Sequence, residues 1–198
     1  TLCFMIGLTR NIFQSSYKLK QAKWEKIGGY QLSNKTVGII GVGNIGKEVV
    51  ELLKPFNCKI LVNDIIDQDE YYKKNNLHKV SKEEIYCNSD IITLHVPLTE
   101  KTKNMINKES ISKMKKTAFM INTARGSIVN QNDLIEALEN KMIAGAALDV
   151  FEEEPIKDQR FISIPNLIVT PHIGGSSYEA IIAAGTNAIN HIIDFFKN

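Results

Sequence analysis

Three polar side chains that suit proton transfer and anion binding follow apolar, strand-like runs in the second half of the chain. Arg125 lies in the run Asn-Thr-Ala-Arg-Gly, Glu154 directly precedes a proline, and His172 directly follows one. A guanidinium can hold a carboxylate or a carbonyl group through two parallel hydrogen bonds. An imidazole exchanges a proton near neutral pH, and a neighbouring carboxylate fixes its ring. Together these residue types suit acid–base chemistry on a small anion.

Taken singly, each of these residues also has a structural explanation. A histidine after a strand is often a structural residue with its hydrogen bonds satisfied, Arg125 could pair with a helix end, and residues 152–154 could form an exposed acidic turn. Their shared position favours the chemical interpretation. All of them follow successive strand-like runs, and ligands of parallel α/β sheets bind at the edge where the strands end.

From residue 35 onward, short apolar runs alternate with helical stretches. The strand-like runs cover residues 36–40, 59–63, 91–96, 118–121, 144–148 and 167–169. Helices are predicted at residues 45–56, 81–87 (with a capping box at its start), 108–114, 132–139 and 177–197. Strands that are apolar along most of their length, each followed by a helix, belong to a parallel sheet covered on both faces. The sequence therefore predicts an α/β fold with a doubly wound parallel sheet.

The first 33 residues do not follow this alternation. Residues 1–13 have helical spacing, and residues 14–33 are predicted to form an extended arm that carries Trp24, the only tryptophan, and a Gly28-Gly29 break. A monomer would expose the apolar side chains of this helix and arm, so the segment is predicted to mediate association. The alternative is that the helix packs on its own domain.

A glycine-rich turn follows the first predicted strand and opens a helix, with Gly41, Gly43 and Gly46 in the spacing G-x-G-x-x-G. The first glycine permits a tight turn, the second lets the backbone approach a pyrophosphate, and the third allows the helix to pack closely on the strand. Asp64 ends the next strand, where a carboxylate accepts hydrogen bonds from ribose hydroxyls and repels a 2′-phosphate. The pattern predicts NAD rather than NADP; the alternative is a structural turn with a surface aspartate.

Composition excludes several classes of protein. The chain carries 24 Lys and Arg against 22 Asp and Glu, with 43% apolar residues. A nearly balanced charge gives no reason to expect a nucleic-acid or membrane partner, and apolar runs such as residues 142–150 are shorter than the roughly 18 residues of a membrane helix. Three widely spaced cysteines without a C-x-x-C pair indicate a reducing, cytoplasmic compartment. No metal site is predicted.

The order of these motifs resembles the D-isomer-specific 2-hydroxyacid dehydrogenases, most closely the D-3-phosphoglycerate dehydrogenase branch. The segments that carry the resemblance are the glycine loop, Asp64, and residues 95–97, 122–126, 149–155 and 170–175. The resemblance implies a Rossmann-type NAD-binding domain inserted into a substrate domain made from both chain ends. It also implies hydride transfer between NAD and a D-2-hydroxy acid or the matching 2-keto acid. A 3-phosphoglycerate-like substrate is favoured over lactate or glyoxylate and hydroxypyruvate.

The same resemblance implies roles for individual residues. Arg125 would orient the substrate, Glu154 would be the carboxylate partner, and His172 would be the acid/base. Glu154 is chosen over its two acidic neighbours because the family's glutamate directly precedes the proline. Asp149 would accept a hydrogen bond from the carboxamide of the nicotinamide. The positions expected to contact the cofactor are Gly41, Gly43, Asn44, Ile45, Gly46, Asp64, Val96, Pro97, Thr123, Ala124, Arg125, Asp149, His172, Gly174 and Gly175.

The resemblance further divides the chain into three segments. Residues 1–33 would be a dimerisation helix and arm, residues 34–176 the NAD-binding domain, and residues 177–198 a helix that belongs to, or leads to, the substrate domain. Most of the substrate domain would be absent, and the apolar amino end without an initiator methionine agrees with a fragment. We therefore expect a homodimer that binds NAD weakly and turns over little by itself. An NAD-sensing binding module or co-repressor is the alternative function.

Overall fold

The structure, a computed structural model, describes residues 1–197, which form a seven-stranded sheet with helices on both faces. The strands are β1 (Thr36–Ile40), β2 (Lys59–Asn63), β3 (His78–Lys79), β4 (Ile91–Leu94), β5 (Phe119–Asn122), β6 (Gly145–Leu148) and β7 (Leu167–Val169). Their order across the sheet is β3-β2-β1-β4-β5-β6-β7, and all neighbouring strands are parallel. The predicted α/β fold with a doubly wound parallel sheet is confirmed.

The helices connect these strands and cover the two faces of the sheet. They are α1 (Leu2–Thr9), α2 (Ile12–Lys20), α3 (Asn44–Leu53), α4 (Asp69–Lys74), α5 (Lys82–Asn88), α6 (Lys108–Ser112), α7 (Gln131–Glu139), α8 (Gln159–Ile162) and α9 (Tyr178–Lys197). Short 3₁₀ segments follow α3 at Lys54–Phe56 and β5 at Gly126–Ile128. Each long connection therefore contains at least one helix, as parallel neighbours require.

The chain changes direction across the sheet between β1 and β4. It runs outward from β1 to β3 on one side and from β4 to β7 on the other, while Ile40 and Leu94 lie opposite each other at the ends of the two central strands. The connections that follow these two strands therefore lead to opposite sides of the sheet from its carboxyl edge. This switch point is where ligands of such folds bind.

An apolar core lies on each face of the sheet, because successive strand residues point to opposite sides. On one face, Ile39 is buried with Met5 of α1 and Val50 of α3. On the other face, Ile40 is buried with Leu134 of α7. Burial on both faces explains why the strands appear in the sequence as continuous apolar runs, and it holds the strand-end loops in place.

The amino-terminal arm differs from the prediction. Residues 14–20, expected to be extended, belong to the helix α2, and residues 23–31 form an irregular segment outside helices and strands. Asn11 separates α1 from α2 because it adopts a left-handed conformation, with φ of 52°, that asparagine tolerates better than most residues. None of the α2 residues is buried, so α2 has no packed face whose period would identify the helix.

Other predicted elements are confirmed with small shifts at their ends. The capping box before α5 is present, since the Ser81 hydroxyl accepts the Glu84 N–H at 3.1 Å and the Glu84 carboxylate accepts the Ser81 N–H at 2.9 Å. The helix predicted at residues 45–56 becomes 3₁₀ after Leu53, because Pro55 supplies no N–H for a further α-turn. The short elements α4, β3 and α8 were not predicted, since two to six residues carry too little periodicity.

The carboxyl-terminal helix α9 projects from the domain with all of its described residues exposed. Its apolar side chains include Ile182, Phe195 and Phe196, which are 68%, 75% and 80% exposed. Across residues 1–197, no helix combines the length and the apolar character needed to cross a bilayer.

Candidate active site

His172 and Glu154 form a hydrogen-bonded pair in two neighbouring strand-end loops. The ring Nδ1 of His172 lies 2.7 Å from Glu154 Oε2, and the Phe151 N–H donates to Glu154 Oε1 at 2.9 Å. These two donors, the histidine first, hold the pKa of Glu154 below its ordinary value. An ionised carboxylate only accepts hydrogen bonds, so Nδ1 carries the proton and Nε2 is left to meet a ligand. About half of the His172 side chain is exposed, at 49%.

The loop that carries His172 is shaped by Asp149, a buried carboxylate at the end of β6. Asp149 Oδ1 accepts the Thr170 hydroxyl at 2.5 Å and the Ile173 N–H at 2.8 Å, and Oδ2 accepts the Gly174 N–H at 2.8 Å. His172 stands between these anchors with φ of 54°, in the left-handed region that a non-glycine residue enters only where its surroundings require it. Asp149 therefore holds the backbone that carries the imidazole, and Glu154 holds the ring itself.

Arg125 lies in the loop after β5, and the Asn122 side chain holds the backbone of this loop. The buried Asn122 side chain accepts the Ala124 N–H at 3.0 Å and donates to the Arg125 carbonyl at 2.9 Å. At Gly126, a Cβ would come within 1.9 Å of the Phe151 backbone, so this loop packs directly against the loop that holds Glu154. Arg125 is exposed, and its Nη1 donates to the Ala124 carbonyl at 2.6 Å.

The structure thus brings two of the three predicted catalytic residues into contact. His172 and Glu154 are hydrogen bonded, whereas Arg125 occupies the adjoining loop and bonds within it. All three follow strands at the carboxyl edge of the sheet, as do the remaining predicted cofactor positions, which are Val96, Pro97, Thr123, Ala124, Asp149, Gly174 and Gly175.

The three glycines of the glycine loop have different surroundings. Gly41 has φ of 95°, and a Cβ there would lie 2.4 Å from the His95 carbonyl oxygen. A Cβ at Gly46 would lie 2.2 Å from the Gly41 carbonyl oxygen. A Cβ at Gly43, the N-cap of α3, would meet no protein atom within 4 Å. The fold itself requires the first and third glycines, while the space beside the second suits an approaching pyrophosphate.

Asp64 lies beside this loop at the end of β2. Its Oδ2 accepts the Val42 N–H at 2.6 Å, and its Oδ1 accepts the Ile66 N–H at 2.8 Å. An ionised carboxylate offers about four acceptor sites, so about two remain for the hydroxyls of a ribose. The glycine loop and Asp64 therefore fit the adenosine diphosphate half of a dinucleotide.

Several residues that organise the site were not assigned a role from the sequence. Asn122 and Thr170 act through the hydrogen bonds described above, and their signal was only a short polar side chain at the end of a strand or directly after it. His95, directly after β4, was also given no role: its Nε2 lies 2.9 Å from the Thr93 hydroxyl, and burial lowers the pKa of the imidazole to about 4. Over residues 1–197, no cluster of three or more His, Cys, Asp or Glu side chains could hold a metal ion.

A doubly wound parallel sheet with a glycine loop, an aspartate beside that loop and a histidine–glutamate pair at one edge is typical of a dinucleotide-binding domain. Residues 2–174 match the sequence profile of the family described as "D-isomer specific 2-hydroxyacid dehydrogenase, NAD binding domain". The chain belongs to this family, as the resemblance of its motifs indicated.

Relatives within the family differ in their named reactions. The chain is 39% identical over 199 residues to a D-3-phosphoglycerate dehydrogenase of Bacillus subtilis, covering 100% of this chain and 38% of the relative. It is 37% identical over 185 residues to a glyoxylate reductase of Pyrococcus horikoshii, and the match covers 89% of this chain and 55% of the relative. The crystal structure of a D-lactate dehydrogenase of Aquifex aeolicus, complexed with NAD and lactic acid, superposes on this chain with a TM-score of 0.91 at 28% identity. The superposition covers 100% of this chain and 65% of that one.

The chain spans only part of these proteins. It corresponds to between 35% and 38% of the length of three D-3-phosphoglycerate dehydrogenases to which it is 36% to 42% identical. What the comparisons establish is therefore the NAD-binding domain of a 2-hydroxyacid dehydrogenase.

Proposed function

We propose that the chain is the cofactor-binding part of an NAD-dependent dehydrogenase that interconverts a D-2-hydroxy acid and a 2-keto acid. The observation that carries this proposal is the 2.7 Å hydrogen bond between His172 and Glu154 at the same sheet edge as the glycine loop. An acid–base pair beside a dinucleotide site is the arrangement that alcohol oxidation needs, because a proton leaves the oxygen as hydride leaves the carbon.

The glycine loop and Asp64 would hold the adenosine half of NAD. The backbone of Asn44 and Ile45, at the first turn of α3, would face the pyrophosphate together with the positive end of the helix. Asp64 would accept the ribose hydroxyls, and its charge would repel the 2′-phosphate of NADP. When bound, the nicotinamide supplies the acceptor or donor of hydride.

The nicotinamide half would lie along the strand-end loops after β4 to β7. Val96, Pro97, Thr123 and Ala124 follow β4 and β5 and would line this side. Asp149 already accepts three hydrogen bonds, so it has about one acceptor site left for the carboxamide. Its larger contribution would be to hold the 170–174 loop, and with it His172, beside the ring.

In the oxidation direction, His172 Nε2 would remove the proton of the substrate hydroxyl. Glu154 would stabilise the imidazolium that forms and keep the proton on Nδ1 before the reaction. Arg125 would bind the substrate carboxylate and offset the negative charge that develops on the oxygen. In the reverse direction, the imidazolium would return its proton to the carbonyl oxygen of the 2-keto acid.

The substrate we favour is 3-phosphoglycerate or a close analogue. D-3-phosphoglycerate dehydrogenases of three organisms cover 94% to 100% of the chain at 36% to 42% identity. Glyoxylate, hydroxypyruvate and lactate are the other candidates, since relatives named for those reactions match at 28% to 38% identity. Contacts to the substrate side chain would come from the part of the longer protein that this chain does not span.

We further propose that residues 1–33 form the contact of a homodimer. The helix α2 exposes Phe13, Tyr17 and Leu19, and the arm exposes Trp24 to 78%. Apolar side chains grouped on one segment are typical of a protein interface. Sedimentation velocity at micromolar concentration should show a dimer that Trp24→Ser with Tyr17→Ser converts to monomer. A wild-type chain that sediments only as a monomer would contradict the proposal.

The catalytic proposal is tested with the longer protein, in which the missing wall of the cleft excludes water and orients the substrate. We expect it to oxidise one or more of these D-2-hydroxy acids with NAD, and His172→Ala to lose nearly all of this activity. The 198-residue chain alone should bind NAD but turn over little. Dinucleotide binding without turnover of any of these acids by the longer protein would instead favour a dinucleotide-sensing module.

A further inference from the structure

The backbone of Val42, between the first two glycines of the glycine loop, is held from both sides by the segment that follows β2. Asp64 Oδ2 accepts the Val42 N–H at 2.6 Å, and Gln68 Nε2 donates to the Val42 carbonyl oxygen at 3.1 Å. The Val42 side chain is fully buried in the core. The residue before the open position at Gly43 is therefore anchored through its amide, its side chain and its carbonyl.

Gln68 is itself held in place by the helix that it precedes. Its carbonyl accepts the Tyr72 N–H at 3.0 Å in the first turn of α4. The Tyr72 ring, 3% exposed, packs into the same core as Val42. The backbone of Gln68 is therefore anchored by α4 and the core, and its side-chain amide reaches the Val42 carbonyl from this anchored position.

The bond from Gln68 has a direct consequence for the glycine loop. The Val42 carbonyl and the Gly43 N–H belong to one planar trans peptide, so they point in opposite directions. A donor that fixes the carbonyl therefore also fixes the direction of the Gly43 N–H, at the position where a Cβ would meet no protein atom within 4 Å. Asp64 fixes the preceding peptide plane in the same manner through the Val42 N–H.

We propose that Gln68 is a positioning residue for the dinucleotide, which orients the Val42–Gly43 peptide toward the pyrophosphate and holds it at a fixed spacing from the ribose-binding Asp64. This inference rests on the proposed function, because it assumes that the glycine loop receives a pyrophosphate. A neutral amide suits the task, since it donates to the carbonyl without placing a negative charge near an anionic ligand. A glutamate of the same size would place its carboxylate, which only accepts hydrogen bonds, against the Val42 carbonyl oxygen, which is also an acceptor.

The test separates ligands with and without the pyrophosphate. The dissociation constants of ADP and adenosine are measured by NMR titration of the 198-residue chain for wild type, Gln68→Ala and Gln68→Glu. We expect Gln68→Ala to weaken ADP binding about 3- to 10-fold, the size of one lost hydrogen bond, with adenosine changed less than about twofold. Gln68→Glu should weaken ADP binding further. Asn75→Ala is the matched control, because it removes an amide-to-carbonyl bond of 3.0 Å at the other end of α4.

A second readout needs no ligand. The order parameter of the Gly43 N–H bond, from 15N relaxation, should be lower in Gln68→Ala than in wild type or Asn75→Ala, because the peptide plane is released. An unchanged order parameter at Gly43, or equal weakening of ADP and adenosine, would overturn the role of Gln68. Failure of the wild-type chain to bind ADP and NAD at all would instead overturn the proposed function, so the two failures are distinguishable.

Discussion

The imidazole of His172 and the carboxylate of Glu154 meet at 2.7 Å, although they lie on loops after different strands. The second oxygen of the same carboxylate accepts the Phe151 N–H at 2.9 Å. Hydrogen bonds to both oxygens favour the ionised carboxylate, in agreement with the lowered pKa of Glu154. The pair is built to hold one tautomer of the histidine.

Replacement of Glu154 by glutamine should damage catalysis in the longer protein without removing the histidine. A glutamine has one acceptor oxygen where the site needs two. Either the Phe151 bond is lost, or the glutamine NH2 faces His172 Nδ1 and favours the tautomer whose proton lies on Nε2, which cannot act as the base. We expect Glu154→Gln to lower kcat about 10- to 100-fold, and His172→Ala to lower it about 100- to 10,000-fold, the range typical of a lost general base. Steady-state rates from pH 5 to pH 9 test this; wild-type rates for Glu154→Gln throughout would contradict the role of the pair.

Two alanine substitutions should separate the binding and folding roles of the glycines. Gly43→Ala places its methyl in open space at φ of −76° and loses only the N-cap preference for glycine over alanine, so stability should fall by about 0.5–1 kcal/mol while NAD binding is lost. Gly46→Ala drives a Cβ to within 2.2 Å of the Gly41 carbonyl oxygen and should destabilise the domain by about 1–3 kcal/mol. Urea unfolding and NAD titration of both variants test the distinction. Equal loss of stability in both would refute it.

The charge of Asp64 should set the preference between NAD and NADP. Asp64→Ala removes both the charge and the Val42 bond, whereas Asp64→Asn keeps an acceptor for the Val42 N–H. We expect both variants to reduce the preference for NAD over NADP, measured as the ratio of the two dissociation constants, by roughly tenfold. Asp64→Asn should keep the free energy of unfolding closer to wild type. Calorimetric titration with each dinucleotide measures the ratio. Tighter binding of NADP by the wild-type chain would show that the ribose argument is wrong.

Burial of His95 should make the stability of the domain depend on pH. Its folded pKa of about 4 lies below the unfolded value of 6.5, so the unfolded state binds the proton first and stability is lost as pH falls below 6.5. By pH 5 this one group should have lowered the free energy of unfolding by about 2 kcal/mol relative to pH 7. His95→Gln, which retains a donor toward the Thr93 hydroxyl, should lack that part of the decline. An equal decline in the free energy of unfolding of both proteins between pH 7 and pH 5 would contradict the prediction.

The main features of the fold could be predicted because burial on both faces leaves a direct pattern in a parallel strand. Each of the six predicted strands is present, with ends shifted by at most two residues. The edge strand β3 was missed because its two residues are exposed, and α2 was missed because none of its residues is buried. Elements of this kind are held by contacts with other parts of the structure, and their own residues show no clear hydrophobic periodicity.

The candidate site was predictable in its chemical groups but not in their connections. The types and order of Glu154 and His172 indicate an acid–base pair, whereas only the structure reveals that the Phe151 N–H completes it. The bond from Gln68 to the Val42 carbonyl joins residues 26 positions apart and follows no motif. Contacts of this kind arise from tertiary packing, which local sequence patterns do not encode.

The most direct test of the account is an NMR titration of the isotope-labelled 198-residue chain with NADH. The glycine loop and the His172–Glu154 pair are proposed to line one dinucleotide site. We expect one saturable event to shift the signals of Gly43, Asp64 and the His172 ring together, and Gly43→Ala to abolish all three shifts. Binding that moves the glycine loop while His172 stays unchanged, or no binding of NADH at millimolar concentration, would contradict it.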